Sequence, residues 1–208
     1  MDGLARGAVS DARGPFWDAI VLAGGKGERL GGVSKPDLVL GGKPLLDRTL
    51  AALAEASTVV IVGGPRRAGV RWSVEEPQGG GPAAAIVAGL RELAAAGSQS
   101  PWTLVLAVDT PGAADAVPRL LGAIEPDGTT SRDGVQLVDA AGRAQPLIAI
   151  YRTTALVAAA EGAHDTATGM SVRTLVGGLK LVAVSDRDDA AHDLDTWDDV
   201  NFWKERLG

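Results

Sequence analysis

Short runs of apolar residues alternate along the chain with segments in which apolar side chains recur every three or four positions. The runs are typical of buried strands, and the wider spacing is typical of helices with one buried face. The predicted strands are Ile20–Ala23, Leu38–Leu40, Thr58–Val62, Val70–Val74, Trp102–Val108, Gly134–Val138, Pro146–Tyr151 and Leu179–Val184. The predicted helices are Pro44–Ala56, Ala114–Ile124, Thr153–Glu161 and Ser171–Val176, with two more that begin at Pro82 and Thr196.

The order of these elements predicts a single α/β domain. Strand and helix alternate over most of the chain, which favours a mostly parallel central sheet with helices on both faces. Residues 18–208 form this predicted domain. Residues 1–17 show no periodicity and are expected to be a loose N-terminal extension.

Glycines and charged residues follow several of the predicted strands. Gly24–Lys35 comes after one strand, Glu75–Pro82 after another, Asp109 after a third, and Asp195 lies beyond the last. In sheets of this kind, ligands bind at the carboxyl ends of the strands. The four segments therefore predict one binding site at one edge of the sheet.

Composition removes several classes of protein. The 208 residues include no cysteine and only two histidines, which excludes disulfides, thiol nucleophiles, cysteine-ligated metals and a three-histidine metal site. A net charge of −6 argues against nonspecific binding to nucleic acid. No apolar run has the length of a membrane span, and residues 1–17 lack the apolar core of a signal peptide. Neither a membrane protein nor a secreted protein is expected.

Glycine is abundant and clustered. It accounts for 28 residues, well above the usual share of about 7%, and clusters lie at residues 24–42 and 79–81. Lys26, Lys35, Lys43 and Arg29 lie in or beside the first cluster. Glycine lets backbone N–H groups approach a phosphate closely, and the cations neutralise its charge, so the segment suits an anion. A flexible loop with solvated charges is the alternative.

The glycine-rich loop does not match the commonest nucleotide motifs. Leu30 stands where a dinucleotide fingerprint needs its third glycine, and the chain has neither a P-loop nor a G-x-S-x-G sequence. Transfer of a phosphoryl or nucleotidyl group needs no protein nucleophile; it needs a metal ion, charge screening and alignment. In that chemistry Asp109 and Asp195 are candidate Mg²⁺ ligands, while Arg29 and Lys35 are candidates to stabilise phosphate charge.

Each candidate carboxylate has a structural alternative. Asp109 begins an Asp-Thr-Pro-Gly sequence that suits a turn. Asp195 precedes Thr196, which resembles the first residue of a capping box with Asp199. Six other aspartates make this region acidic, and most of them are expected to be solvated: Asp186, Asp188, Asp189, Asp193, Asp198 and Asp199.

The segment LAGGKGERLGGVSK at residues 22–35 resembles the signature loop of nucleotidyltransferases with a glycosyltransferase-A-like fold. Further segments resemble the molybdenum cofactor guanylyltransferases within that superfamily, over about residues 18–207. They are GKPL at residues 42–45, Glu76 through Pro82, LAVDTP at residues 106–111, QPL at residues 145–147 and DLDT at residues 193–196.

This resemblance implies a Rossmann-like nucleotidyltransferase fold and Mg²⁺-dependent transfer of GMP from GTP to molybdopterin, with release of pyrophosphate. It implies catalytic roles for Arg29, Lys35 and Asp109, and metal binding by Asp109 and Asp195. The implied nucleotide-binding residues are Leu22, Ala23, Gly24, Gly25, Lys35, Glu76, Gly81 and Asp109. It further implies a cytoplasmic monomer or small homo-oligomer that meets the enzymes that make molybdenum cofactor or accept it.

The sequence departs from the family pattern at several positions: Ser34 for Asp, Val62-Gly63-Gly64 without Asn, Ala83 for Leu, Gln145 for His, Asp195 for Asn and Trp197 for Pro. Three reactions with another base or another acceptor therefore stay open: cytidylyl transfer to the same pterin, guanylyl transfer to phospholactate, and nucleotidyl transfer to a sugar phosphate. The alternative that is not an enzyme is a nucleotide-binding protein without catalytic activity.

Overall fold

A computed structural model describes residues 16–25, 30–124, 132–163 and 166–207 of the chain. Its strands are β1 (Trp17–Leu22), β2 (Val39–Leu40), β3 (Lys43–Pro44), β4 (Val59–Val62), β5 (Arg71–Ser73), β6 (Trp102–Ala107), β7 (Gly134–Val138), β8 (Ala144–Arg152) and β9 (Leu181–Ser185). Its α-helices are α1 (Leu45–Ala52), α2 (Pro82–Ala95), α3 (Ala113–Gly122), α4 (Thr153–Gly162), α5 (Val172–Leu175) and α6 (Trp197–Leu207). Within these ranges, no helix is long and apolar enough to cross a bilayer.

Seven of the strands form one sheet in the order β5-β4-β1-β6-β8-β7-β9. Every neighbouring pair is parallel except the two that involve β8, which is antiparallel to β6 and β7. The reversal follows from the turn at Asp139, whose side chain accepts hydrogen bonds from the N–H groups of Ala141 and Arg143. The predicted mostly parallel sheet is confirmed.

Helices cover both faces of the sheet, as predicted, and the central strand shows why. On β1, Ala19 and Val21 point into a core shared with α1, α3 and α6. The alternate residues, Ile20 and Leu22, point into a second core shared with α2, α4 and α5. Because strand side chains alternate between faces, a continuously apolar strand is the pattern of a sheet buried on both sides.

The largest departures from the predicted elements lie near α1. Pro44, predicted as a first-turn residue, instead ends β3 and pairs with Val39, and the helix begins at Leu45. At the other end, the N–H of Leu53 bonds to the carbonyl of Leu50, a tighter turn that ends the helix before the predicted Ala56.

The connection after β6 is held firmly against the last helix. Leu194 donates its backbone N–H to the carbonyl of Asp109 over 2.7 Å. Nearby, the indole of Trp203 on α6 is buried against Gly112, which lies just before α3. The segment that carries Asp109 and the segment that leads into α6 are thus fixed to one another.

Replacement of Gly112 by alanine tests this contact. A Cβ at Gly112 would lie 2.5 Å from the Trp203 ring and 2.8 Å from Cα of Ala190, closer than real Cβ contacts. We expect Gly112→Ala to lower the free energy of unfolding in urea by about 1–3 kcal/mol because of overpacking. Gly122→Ala is the control, since nothing lies within 4 Å of that position. Equal stabilities of the two variants would contradict the contact.

Candidate active site

A cavity of about 640 Å³ opens at the carboxyl edge of the parallel strands. The ends of β1, β4 and β6 supply part of its lining, and the amino-terminal part of β8 reaches the same edge because that strand runs in the opposite direction. The lining includes Leu22, Gly24, Gly25, Lys35, Val62, Glu75, Gly79, Gly81, Asp109, Leu147 and Asp195. All four segments that the sequence predicted to meet are therefore present.

Close backbone packing shapes the β1 side of the cavity. A Cβ at Gly63 would lie 2.8 Å from Cα of Gly24, and Gly63 has φ of +70°, so both space and conformation require glycine there. Beside it, the N–H of Ala23 bonds to the carbonyl of Val62 over 2.9 Å. The loop after β1 is thus held against the loop after β4.

The other glycine cluster brings backbone groups to the cavity at the start of α2. Gly81 precedes this helix with φ of 90°, and Pro82 occupies its first turn. The carboxylate of Glu75 accepts a hydrogen bond from the N–H of Gly79 over 3.0 Å. The helix start presents N–H groups without helical partners, an environment that favours electronegative ligand atoms.

Lys35 begins a short 3-10 turn, Lys35–Asp37, that a network of side chains holds in place. Ser34 donates its hydroxyl to Asp37 over 2.7 Å. Arg67 pairs with Asp37 over 3.3 Å and with Asp47 over 2.6 Å. These pairs leave the Arg67 side chain only 25% exposed.

The ammonium of Lys35 lies between two carboxylates. Its Nζ is 2.9 Å from Oδ2 of Asp109 and 2.6 Å from Oδ1 of Asp195. Burial alone would lower the pKa of Lys35, but hydrogen bonds to both aspartates and their negative charges outweigh burial and raise it. The lysine is therefore charged, and its side chain is only 16% exposed.

Negative charge still exceeds positive charge around this lysine. Partial desolvation, together with the charges of Asp109 and Asp195, raises the pKa of Asp193 to about 6. One ammonium thus faces two carboxylates, with a third nearby. An arrangement of this kind attracts further cations.

The carboxylate pair has the chemistry of a Mg²⁺ site. Oxygens of Asp109 and Asp195 converge on one point, which the lysine nitrogen now occupies, and carboxylate oxygens are preferred ligands of this hard cation. Across the described ranges, no three side chains of the His, Cys, Asp and Glu types are grouped to hold an ion. Two aspartates would leave the remaining positions to water and to phosphate oxygens of a substrate, as is usual for Mg²⁺.

A family model for the MobA-like NTP transferase domain matches residues 19–180, most of the chain. The chain belongs to the MobA-like NTP transferase family. It is 31% identical over 206 residues to a molybdenum cofactor guanylyltransferase of Acidiphilium cryptum, covering 93% of this chain and 96% of the relative. A molybdenum cofactor guanylyltransferase of Cupriavidus metallidurans is 28% identical over 194 residues, covering 88% of this chain and 92% of that protein.

Solved structures share the MobA-like fold. Molybdopterin-guanine dinucleotide biosynthesis protein A from Archaeoglobus fulgidus superimposes with a TM-score of 0.68 at 22% identity, covering 91% of this chain and 97% of that one. A 2-C-methyl-D-erythritol 4-phosphate cytidylyltransferase from Francisella tularensis gives a TM-score of 0.68 at 14% identity, covering 90% and 97%. Both comparisons support the predicted nucleotidyltransferase fold.

Most of the predicted site residues of this MobA-like chain line the cavity, and two of the described ones do not. Ala23 is buried in the core, and Glu76 is exposed, while the neighbouring Glu75 lines the cavity. Arg29 lies outside the described residues. Predicted residues that line the cavity are Leu22, Gly24, Gly25, Lys35, Gly81, Asp109 and Asp195.

Most of the six aspartates that accompany Asp195 in the acidic region are exposed, as predicted. The exposed ones are Asp188, Asp189, Asp193 and Asp198. Asp186 instead turns inward and accepts hydrogen bonds from the N–H groups of Ala190 and Ala191. Asp199 accepts backbone hydrogen bonds in the same way, from Asp195 and Thr196. The capping-box pattern pointed to Asp199; no comparable pattern singles out Asp186.

Lys35→Met tests whether the ammonium occupies a cation site. Methionine keeps much of the side-chain volume but frees both carboxylates, so Mn²⁺ without nucleotide should bind about tenfold tighter or more by electron paramagnetic resonance titration. Lys43→Met removes the same charge from the exposed β3 and should leave affinity within about twofold because of solvent screening. Unchanged or weaker Mn²⁺ binding in Lys35→Met would contradict competition between lysine and metal.

Proposed function

We propose that this chain transfers GMP from GTP to molybdopterin in a Mg²⁺-dependent reaction that releases pyrophosphate and forms a guanine dinucleotide cofactor. The observation that carries the proposal is the juxtaposition of Lys35, Asp109 and Asp195 beside a glycine-lined cavity. The family match and the names of the full-length relatives support the same activity. We place the reaction in the cytoplasm.

Backbone at Leu22–Gly25 and Gly79–Gly81 would bind the nucleoside part of GTP, because residues of both loops line the cavity. Lys35 would turn from the carboxylates to the phosphates. Arg29 is proposed as a second cation for the phosphates. When bound, Mg²⁺ would neutralise phosphate charge, and Asp109 and Asp195 would hold it.

In the proposed transfer, an oxygen of the terminal phosphate of molybdopterin attacks the α-phosphorus of GTP. A new P–O bond forms as the bond from the α-phosphorus to the oxygen shared with the β-phosphate breaks. That oxygen keeps the electron pair and leaves as part of pyrophosphate. No protein nucleophile is required, which agrees with a chain that lacks cysteine.

A substrate panel tests the proposal. The chain is incubated with each nucleoside triphosphate and with molybdopterin, phospholactate or a sugar phosphate, and released pyrophosphate is measured. GTP with molybdopterin should give the fastest release. Faster release with CTP than with GTP, or release only with another acceptor, would overturn the assigned substrates while keeping nucleotidyl transfer. Calorimetric binding of GTP without turnover of any acceptor would indicate a non-catalytic nucleotide-binding protein.

Asp109→Ala removes one proposed metal ligand. We expect it to abolish Mg²⁺-dependent pyrophosphate release while the circular dichroism spectrum stays unchanged, because the side chain lies at the cavity and not in the core. Asp115→Ala changes an exposed carboxylate in the first turn of α3 and should retain full activity. Full turnover by Asp109→Ala would remove this residue from the mechanism.

Lys35→Ala removes the proposed phosphate contact. We expect GTP binding, measured by calorimetry with Mg²⁺ present, to weaken by about 1–3 kcal/mol, the range of one charge-assisted hydrogen bond. The same change frees the carboxylates for metal, so weaker nucleotide binding cannot come from weaker metal binding. GTP affinity equal to that of the unaltered chain would show that Lys35 does not contact phosphate.

A further inference from the structure

The loop that carries Asp195 is fixed by a carboxylate in the first turn of the helix that follows. Oδ2 of Asp199 accepts the backbone N–H of Asp195 over 3.0 Å and that of Thr196 over 2.7 Å. The same oxygen accepts the hydroxyl of Thr196 over 2.8 Å. Three donors around a proposed metal ligand thus converge on one oxygen atom.

The second oxygen of Asp199 holds the other end of the loop. Oδ1 lies 2.9 Å from Nε2 of His192. The His192 ring stacks on Phe202 with 4.4 Å between centroids, and its backbone carbonyl accepts the indole N–H of Trp203 over 3.2 Å. Asp199 therefore spans the loop from His192 to Thr196, and α6 provides the rigid support.

These contacts exceed what helix capping requires. In a capping box the Thr196 N–H donates to the Asp199 carboxylate, and the Asp199 N–H donates to the Thr196 hydroxyl. Both are present, the second at 3.3 Å. The bonds to Asp195 and His192 are additional, and they act on the residues before the helix rather than on the helix itself.

Asp199 carries its charge over the ordinary pH range. Partial burial opposes ionisation, but hydrogen bonds from Thr196, His192 and the Asp195 N–H outweigh it and lower the pKa of Asp199 to about 2. A charged acceptor makes stronger hydrogen bonds than a neutral one. The loop is therefore held by charge-assisted bonds.

We propose that Asp199 is a positioning residue that fixes the Asp195 carboxylate beside Asp109 and Lys35. The backbone on one side of Asp195 is tied to Asp109 through the Leu194 N–H, and the backbone on the other side is tied to Asp199. With both sides fixed, the Asp195 side chain projects toward the lysine. This role adds a residue to the proposed function, and its importance for catalysis rests on that function.

The test compares Asp199→Ala with Asp198→Ala. Asp198 is an exposed carboxylate in the same helical turn, and the described part of the chain gives it no hydrogen bond or ion pair. Mn²⁺ affinity is measured by electron paramagnetic resonance without nucleotide, and stability by thermal unfolding. We expect Asp199→Ala to lower Mn²⁺ affinity about tenfold or more, as for other residues that orient metal ligands. Asp198→Ala should change it less than about twofold.

Two further variants separate positioning from folding. Asp199→Glu lengthens the side chain but can reach back to the same N–H groups, as glutamate does in ordinary capping boxes, and should restore most of the Mn²⁺ affinity. If Asp199→Ala does not fold, Asp199→Asn replaces it. The amide has one acceptor oxygen, so it cannot accept at both ends of the loop, and a loss of several-fold is expected.

Crystal structures of the Asp199 and Asp198 variants give a readout that needs neither metal nor turnover. The contact of 2.6 Å between Lys35 and Asp195 should be lost in Asp199→Ala and kept in Asp198→Ala. Equal Mn²⁺ affinities of the two variants, or an intact contact in Asp199→Ala, would overturn the positioning role. If the unaltered chain released no pyrophosphate with any acceptor, the proposed function would fail, and these measurements would still decide the role of Asp199.

Discussion

One ammonium group holds together the chemical centre of this protein. Lys35 bridges Asp109 and Asp195, which lie 74 and 160 positions away in the chain. Two carboxylates this close repel one another, and a cation between them converts that repulsion into attraction. The three side chains come from a 3-10 turn, a strand end and the loop before a helix. The fold brings these three segments together.

Each of the three side chains has its own mechanical support. The Lys35 turn is tied down by Asp37 and Arg67. Asp109 follows β6, a strand paired on both sides in the middle of the sheet. The Asp195 loop is fixed by bonds to Asp109 and to α6. Preorganisation of this kind matters for nucleotidyl transfer, since catalysis without a protein nucleophile depends on positioning and electrostatics.

The positions of Lys35, Asp109 and Asp195 were accessible from the sequence. Apolar runs mark the strands, parallel strands bring their carboxyl ends to one edge, and residues just beyond those ends must therefore meet. The two-sided core follows from the same pattern, because β1 is apolar at nearly every position. The resemblance to nucleotidyltransferases added the expectation of GTP and molybdopterin as substrates.

Other features of the site depend on contacts between residues that are distant in the sequence, and no local sequence pattern predicts such contacts. Arg67 looks like a surface cation until the fold places it between Asp37 and Asp47. Adjacent glutamates are equivalent in sequence, but the chain path turns Glu75 toward the cavity. β3 is too short to show a period at all. Sequence patterns thus locate the candidate site residues, whereas the side chains that hold those residues in place are evident only from the three-dimensional structure.

In the proposed mechanism, Lys35 occupies a cation site and leaves it when substrate binds. A crystal structure with a non-hydrolysable GTP analogue and Mg²⁺ tests this most directly. We expect one ion bound by both Asp109 and Asp195, with the Lys35 ammonium moved onto the phosphates. An ammonium still bridging the two carboxylates, with nucleotide and metal bound elsewhere, would contradict it.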